Sequence, residues 1–417
     1  MLSFIHKIFK TKEGKTIASN LGYLTLMQVA NYVFPFITLP YLARVLGVDK
    51  FGVLAIGAAV VSYFQSITDY GFNYTAVKKI ARCKDDVEKT SQIVSSTICA
   101  KILLMCLCAL ILALCITFVP YFQQYKAVIV ATFLLIPGNI LFADWFFQAV
   151  EDMKYITLLS VISKFVFTVL VFVIVKKPQD YLYQPLLIAA GYMVSAIVGT
   201  CIMTTKFKVR LYVPSILEIM QEVKEGFNMF VALFLPTIYT NLNVLILGGY
   251  NGDKATGIYS GATKFTSLAY NLFMLVSRAV YPYFARQLDK HTIYARMSFV
   301  FSVLLSGAFV ILAKPLVLLL LGPEFEETIV VLRIVALTPI AMSITNSYGV
   351  NYLVLKGKEV YMRNIVVVIT LVGVILGVYG AIRYSYIGVA VASLVTQSIR
   401  AFMIYISAKR VMKETLV

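Results

Sequence analysis

The sequence predicts an all-α integral membrane protein: about twelve transmembrane helices in two six-helix lobes, related by an internal parallel repeat, around a central cavity. Three observations predict it. Of 417 residues, 60% are hydrophobic and 14% charged, against about 25% charged in soluble domains; mean hydropathy is +0.84. Apolar runs recur along the chain at the ~20-residue length a bilayer crossing needs. The basic residues alternate between loops that are rich and poor in them, as the positive-inside rule demands.

The apolar runs place spans at 18–43, 52–77, 92–119, 126–148, 156–175 and 183–205, then 226–249, 257–282, 297–321, 328–353, 364–382 and 387–408. The first span carries Gln28, Asn31, Pro35 and Thr38 on one face, and the second carries Ser62, Gln65, Asp69 and Asn73 within an arc of about 80°. The third holds Lys101 and four of the six cysteines, which read as small apolar packing residues because no CxxC spacing occurs. Asp144 lies near the end of the fourth span, and Lys164 is inside the fifth. The polar stretch from Lys206 to Glu225 reads as the linker between lobes 1–210 and 211–417. The seventh span carries Pro236, Thr237 and Asn241; on the eighth, Lys264, Ser267, Asn271 and Arg278 share an arc of about 60°. Lys314-Pro315 interrupts the ninth, since proline lacks the N–H that continuation needs. Arg333 lies near the end of the tenth, and Arg400 is inside the twelfth. The first segment, MLSFIHKIFKTKEGK, lacks the continuous apolar core of a signal peptide and reads as an interfacial piece.

About 23 loop Lys and Arg fall on the side of the termini and about eight opposite, which predicts cytoplasmic N- and C-termini. Shifting the chain by roughly 204 residues lays Asp49-Lys50 on Asp253-Lys254 and Ala81-Arg82 on Ala285-Arg286. The net charge, 37 − 20 = +17, is read as loop bias and contact with the bilayer rather than nucleic-acid binding.

Enzyme chemistry finds no footing. His6 and His291 fall in an interfacial segment and a loop, the carboxylate pairs Asp85-Asp86, Glu151-Asp152 and Glu326-Glu327 read as solvated, and no P-loop is present. No catalytic residue and no metal site are assigned. What remains is intramembrane charge, which is costly and normally faces a cavity or a partner: Asp69, Lys101, Asp144, Lys164, Lys264, Arg278, Arg333 and Arg400. Six bases against two acids predict a net-positive interior suited to an anionic, phosphate-bearing substrate. Arg278, Lys264, Lys101 and Arg333 are the candidate anion ligands, and Gln28, Asn31, Gln65, Asn73, Asn241 and Asn271 the polar lining. Asp69 and Asp144 are the candidate coupling or counter-charge residues, Asp69 toward the bases of the eighth span. Two bland readings stand beside these: interhelical hydrogen bonding for the polar stripes, and snorkelling for Arg333 and Asp144.

Three segments, DYGFNYTAVKKIAR (69–82), ADWFFQAVEDMKYIT (143–157) and LLLLGPEFEET (318–328), resemble the polysaccharide-transporter branch of the multidrug/oligosaccharidyl-lipid/polysaccharide superfamily, with Wzx-type O-antigen flippases nearest. Ala149 stands where that family often has glycine. The resemblance implies an inner-membrane protein moving undecaprenyl-pyrophosphate-linked oligosaccharide between leaflets by alternating access. It also implies a lumenal base at the position of Arg278 for the pyrophosphate. No bound cofactor is expected; proton or sodium coupling, with Asp69 as its site, is implied for some members. A polysaccharide polymerase and a chain-length regulator are the protein partners of such a role. The alternatives are a cation-coupled antiporter or a peptidoglycan-precursor flippase of the same fold, and a membrane glycan polymerase, which would need larger outer loops than this chain has.

Overall fold

The computed structural model describes residues 12–83, 86–286 and 291–414, and among these there is no strand. Eight segments are long and apolar enough to cross a bilayer, and two of them, Gly22–Arg82 and Val360–Met412, exceed fifty residues. Each of those two contains a break. Helix α1 (Lys12–Asp69) is interrupted at Gly47, φ 71° and ψ 173°. The last helix, Glu359–Glu414, is interrupted at Ser385, φ 49°. A left-handed residue ends one helix and starts another, and glycine tolerates that conformation because it has no Cβ.

Between them lie α2 (Phe72–Arg82), α3 (Val87–Phe118), α4 (Pro120–Gln124) and α5 (Lys126–Phe133). They are followed by α6 (Leu135–Phe142), α7 (Asp144–Ala149), α8 (Met153–Ile174) and α9 (Tyr183–Thr205). Next come α10 (Ile216–Tyr250), α11 (Gly252–Arg286), α12 (His291–Ile311) and α13 (Ala313–Leu320). Then α14 (Thr328–Val335) and α15 (Thr338–Ile344) run into a π-helical stretch, Thr345–Val354, before α16 (Glu359–Glu414). The ninth expected span divides at Lys314-Pro315 as anticipated, into α12 and α13.

Three expectations are corrected. The stretch read as a linker is helical from Ile216 onward. Ser215 and Glu218 form a reciprocal cap, in which Ser215 N–H donates to Glu218 Oε2 (2.7 Å) and Glu218 N–H to Ser215 Oγ (3.3 Å). That cap satisfies amides a helix start leaves orphaned, and holds the Glu218 carboxyl below its usual range. His291 is not in a loop: it opens α12, is 1% exposed, and its Nε2 lies 2.8 Å from the Ser347 carbonyl oxygen. The polar stripe of the second span is not one continuous helix face, because Tyr70 (φ 46°) and Gly71 (φ 80°) break the helix between Asp69 and Asn73. His6 and the interfacial N-terminal piece lie outside the described residues.

The chain packs as two compact units that do not coincide with the halves 1–210 and 211–417. One holds the described residues up to Leu39 together with Val61–Phe234; the other holds Pro40–Val60 with the described residues from Leu235 onward. Two of the three segments that carry the family resemblance, 69–82 and 318–328, make contacts that fit this partition. In the first unit, Tyr70 stacks on Phe230 of α10 (4.5 Å, 6° between planes). Lys79 pairs with both Glu222 and Glu225 at 2.8 Å. A second joint is aromatic: Trp145, Phe146 and Phe147 are fully buried, Phe147 meets Tyr155 at 5.4 Å, and Phe146 meets Phe207 at 5.3 Å.

In the second unit, the turn at Gly322 (φ 99°) drives Phe325 into the core, edge-on to Phe51 at 5.5 Å. Arg44 reaches the Leu319 carbonyl, and Lys254 and Tyr386 both bond Glu327, at 2.7 and 2.6 Å. Here α1 and α11 approach to backbone contact. A Cβ on Gly52 would run into the Asp253 carbonyl oxygen, and a Cβ on Gly257 into that of Val48. The contact is reciprocal: 52 to 257 and 48 to 253 are the same shift of 205 residues.

Candidate functional site

The first unit holds a buried ionic cluster where two helices break. Lys101, on α3, has a side chain only 1% exposed. Its ammonium donates to Asp69 Oδ1 at 3.1 Å and to Asn73 Oδ1 at 2.8 Å. An unpaired charge at such depth is prohibitive, so the break at Tyr70 and Gly71 does chemical work. It ends α1 just after Asp69 and restarts the chain with Asn73 turned back to the same amine. Asp144 is similarly placed at a break, since Ala143 (φ 42°) separates α6 from α7, and Asp144 Oδ1 accepts from the Trp145 N–H at 2.9 Å. Lys101 and Asp69 both act on Asp144 electrostatically, and both acids act on Tyr192 of α9.

Read from the sequence, Lys101 and Asp69 have separate roles, one as anion ligand and one as counter-charge to the bases on α11. In this conformation they are partners of each other. Asn73, assigned to the lining, is the third member, and Asp144 lies within electrostatic reach. Gln28 and Asn31 meet on α1, where the Asn31 amide donates to Gln28 Oε1 at 3.5 Å; Gln65 is half-buried on the same helix.

In the second unit, Lys264 and Asn271 are exposed on α11, and Lys264 has no hydrogen-bond or ion-pair partner among the described residues. Arg278 lies on the same helix, and its side chain is outside the described residues. Arg333 is exposed in the last turn of α14, and Asn241 donates to the Thr237 carbonyl at 3.1 Å. Two residues escaped the sequence reading. Tyr192 had no signal beyond its place in an apolar run. Glu222, 6% exposed and bonded by Lys79 and Ser96 (2.8 and 3.4 Å), was hidden by the linker assignment, although Ser215-x-x-Glu218 is a legible helix start.

Buried basic and acidic groups set at broken helices are the arrangement of membrane transporters, in which interrupted backbone at membrane depth is tolerated where it serves a site. Residues 17–288 match the model of a family described as polysaccharide biosynthesis protein. The chain belongs to that family. Two relatives extend the match over nearly all of the chain. A candidate O-antigen transporter of Escherichia coli (strain K12) is 26% identical over 390 residues, 92% of this chain and 94% of the relative. A candidate O-antigen transporter of Shigella dysenteriae is 28% identical over 383 residues, 91% and 96% of the two chains.

The fold is that of solved transporters. The lipid II flippase MurJ in an inward closed conformation superposes with a TM-score of 0.73 at 16% identity, covering 92% of this chain and 87% of that one. An inward-facing multidrug resistance MATE family transporter of the MOP superfamily gives 0.69 at 13% identity, covering 95% and 98%. The chain is therefore an all-α, multi-pass membrane protein with the MOP transporter fold.

Proposed function

We propose that this protein is a flippase and not an enzyme. It translocates undecaprenyl-pyrophosphate-linked oligosaccharide, an O-antigen or related repeat unit, across the bacterial inner membrane by alternating access. The observation that carries the reading is the near full-length similarity to two candidate O-antigen transporters, and the fold shared with a lipid II flippase supports it. Twelve crossings with both termini cytoplasmic fit the loop bases. Eight apolar segments, two of them interrupted at Gly47 and Ser385, stand beside α10 and α11.

Lys264 and Arg278 bind the pyrophosphate at successive depths. They are 14 residues apart on α11, about 21 Å at 1.5 Å per residue, and a diphosphate crossing low dielectric needs its charge compensated along the route. Lys264, exposed and without a hydrogen-bond or ion-pair partner among the described residues, supports this role. Arg333 is a further anion ligand of that unit. Lys101, Asp69 and Asp144 form the coupling centre, where a proton arriving on either acid, or a sodium ion, would loosen the pair. A polymerase and a chain-length regulator would take the product.

The test is surface-glycan display in a strain lacking its own flippase, with protein level in the membrane measured alongside. Wild type should restore display, Arg278→Lys part of it, and the double variant Lys264→Ala, Arg278→Ala almost none. Full display by the inserted double variant would remove the pyrophosphate assignment; no display by inserted wild type, in strains making several different repeat units, would remove the flippase reading.

A further inference from the structure

The second unit carries a groove that the flippase reading leaves unused. It lies among α12, the stretch Leu337–Tyr348 and the later part of α16, with a volume of about 790 Å³, within the range of small-molecule sites. Its walls include Phe299, Ile340, Leu394 and Phe402, and the two segments Leu337–Tyr348 and Leu394–Tyr405 both finish on lining tyrosines, with Arg296 also in the wall. Tyr348 and Tyr405 are packed edge-on at 5.0 Å, and Lys409 sits over the Tyr405 ring at 5.7 Å. Arg296 is exposed and has no hydrogen-bond or ion-pair partner among the described residues.

The medium around this groove is lipid, because α12, Thr328–Val354 and Val360–Met412 are all long and apolar enough to cross the bilayer. Its length also fits one leaflet. Leu394 and Tyr405 are 11 residues apart on α16, about 16 Å at 1.5 Å per residue, and half of a ~30 Å hydrocarbon core is about 15 Å. An acyl chain starting at the tyrosine end would reach the midplane inside the groove. Arg296 lines the groove and Lys409 lies over the Tyr405 ring, and tyrosines are favoured at the headgroup level. Basic pockets between spanning helices attract anionic headgroups.

We propose that the groove seats one acyl chain of an anionic glycerophospholipid, with its phosphate held by Arg296 and flanked by Lys409. The lipid is a resident of the leaflet rather than cargo, since a one-leaflet groove suits an acyl chain and not a long polyprenyl tail. It fills the space between α12 and α16 and makes that packing responsive to the charge of the surrounding membrane.

The experiment is native mass spectrometry of the full chain taken from bilayers containing equal amounts of phosphatidylglycerol and phosphatidylcholine with the same acyl chains. Wild type should retain phosphatidylglycerol about fivefold over phosphatidylcholine, as one basic residue near a membrane surface provides. Arg296→Gln should lose that preference, Arg296→Lys should keep most of it, and Ser398→Trp, which fills the groove from an exposed wall position, should retain neither lipid. Equal retention of the two lipids by wild type would overturn the proposal, as would undiminished phosphatidylglycerol on Ser398→Trp. Dissociation of an oligomer by Ser398→Trp would also overturn it, showing a second copy in the groove instead.

Discussion

The ammonium of Lys101 lies 3.1 Å from Asp69 Oδ1, with the lysine side chain 1% exposed and the aspartate 29%. The asymmetry decides what each group can do. Lys101 is enclosed by protein and depends on its partners, whereas Asp69 is only partly covered. Removing the lysine should leave a carboxylate short of its counter-charge, and removing the aspartate should strand a buried ammonium on Asn73 alone. Breaking a buried pair costs about 3–5 kcal/mol, and partial exposure of Asp69 puts this one near the lower figure. Lys101→Met should therefore lower the thermal unfolding temperature in detergent. Lys101→Met with Asp69→Asn should recover most of that loss but not glycan display. Transport at the wild-type rate by the double variant, across a range of pH, would show that the pair is structural only.

The Gly52 and Gly257 contact is the second place where one atom matters. In each case the obstacle to a side chain is a carbonyl of the facing backbone, which cannot rotate away as a flexible side chain would. Gly52→Val should separate α1 from α11, at roughly 1–3 kcal/mol for overpacking, and abolish display. Ala58→Val, at an exposed position on the same helix, should change neither stability nor display. Normal melting and display by Gly52→Val would mean the two helices need not approach this closely.

Glu327 gives a pH dependence with a defined sign. Its hydrogen bond from Lys254, and then that from Tyr386, hold the carboxyl below its ordinary value of 4.5, and the same contact raises Lys254 above 10.5. A depressed carboxyl stabilises the fold at pH values above its unfolded value and loses that contribution as pH falls through its folded one. A raised amine contributes below its unfolded value and loses that as pH rises through its folded one. Glu327→Gln should thus melt slightly below wild type between about pH 5 and 10, with the difference closing in acid. A gap that persists well below the carboxylate range would assign the effect to packing.

Orientation can be read directly. Reporter fusions at Lys208 and Lys409 should report cytoplasm, and those at Gln123, Gln179 and Asp253 periplasm, if the loop bases set the topology. A cytoplasmic signal at Asp253 would break the twelve-crossing reading, because α10 would not then have crossed.

The class of this protein was legible in the sequence because solvent selects composition. A chain that is 60% hydrophobic with few charges has only the bilayer in which to fold, and backbone in a bilayer must be helical or closed into a barrel. The rarity of charge in hydrocarbon likewise marked Asp69, Lys101 and Asp144 in advance. What one-dimensional periodicity could not supply was the pairing, because it assumes that a helix continues. The left-handed residues Tyr70, Gly71 and Ala143 break that assumption at the very positions where the acids sit, so Asn73 turns back to Lys101 instead of extending a stripe. The partition of the chain was hidden for a related reason. Residues 40–60 and 211–234 join the unit opposite to the one their place in the sequence suggests. That choice is made by contacts between distant residues, such as Phe51 with Phe325 and Tyr70 with Phe230, whose energy exists only once the helices are packed.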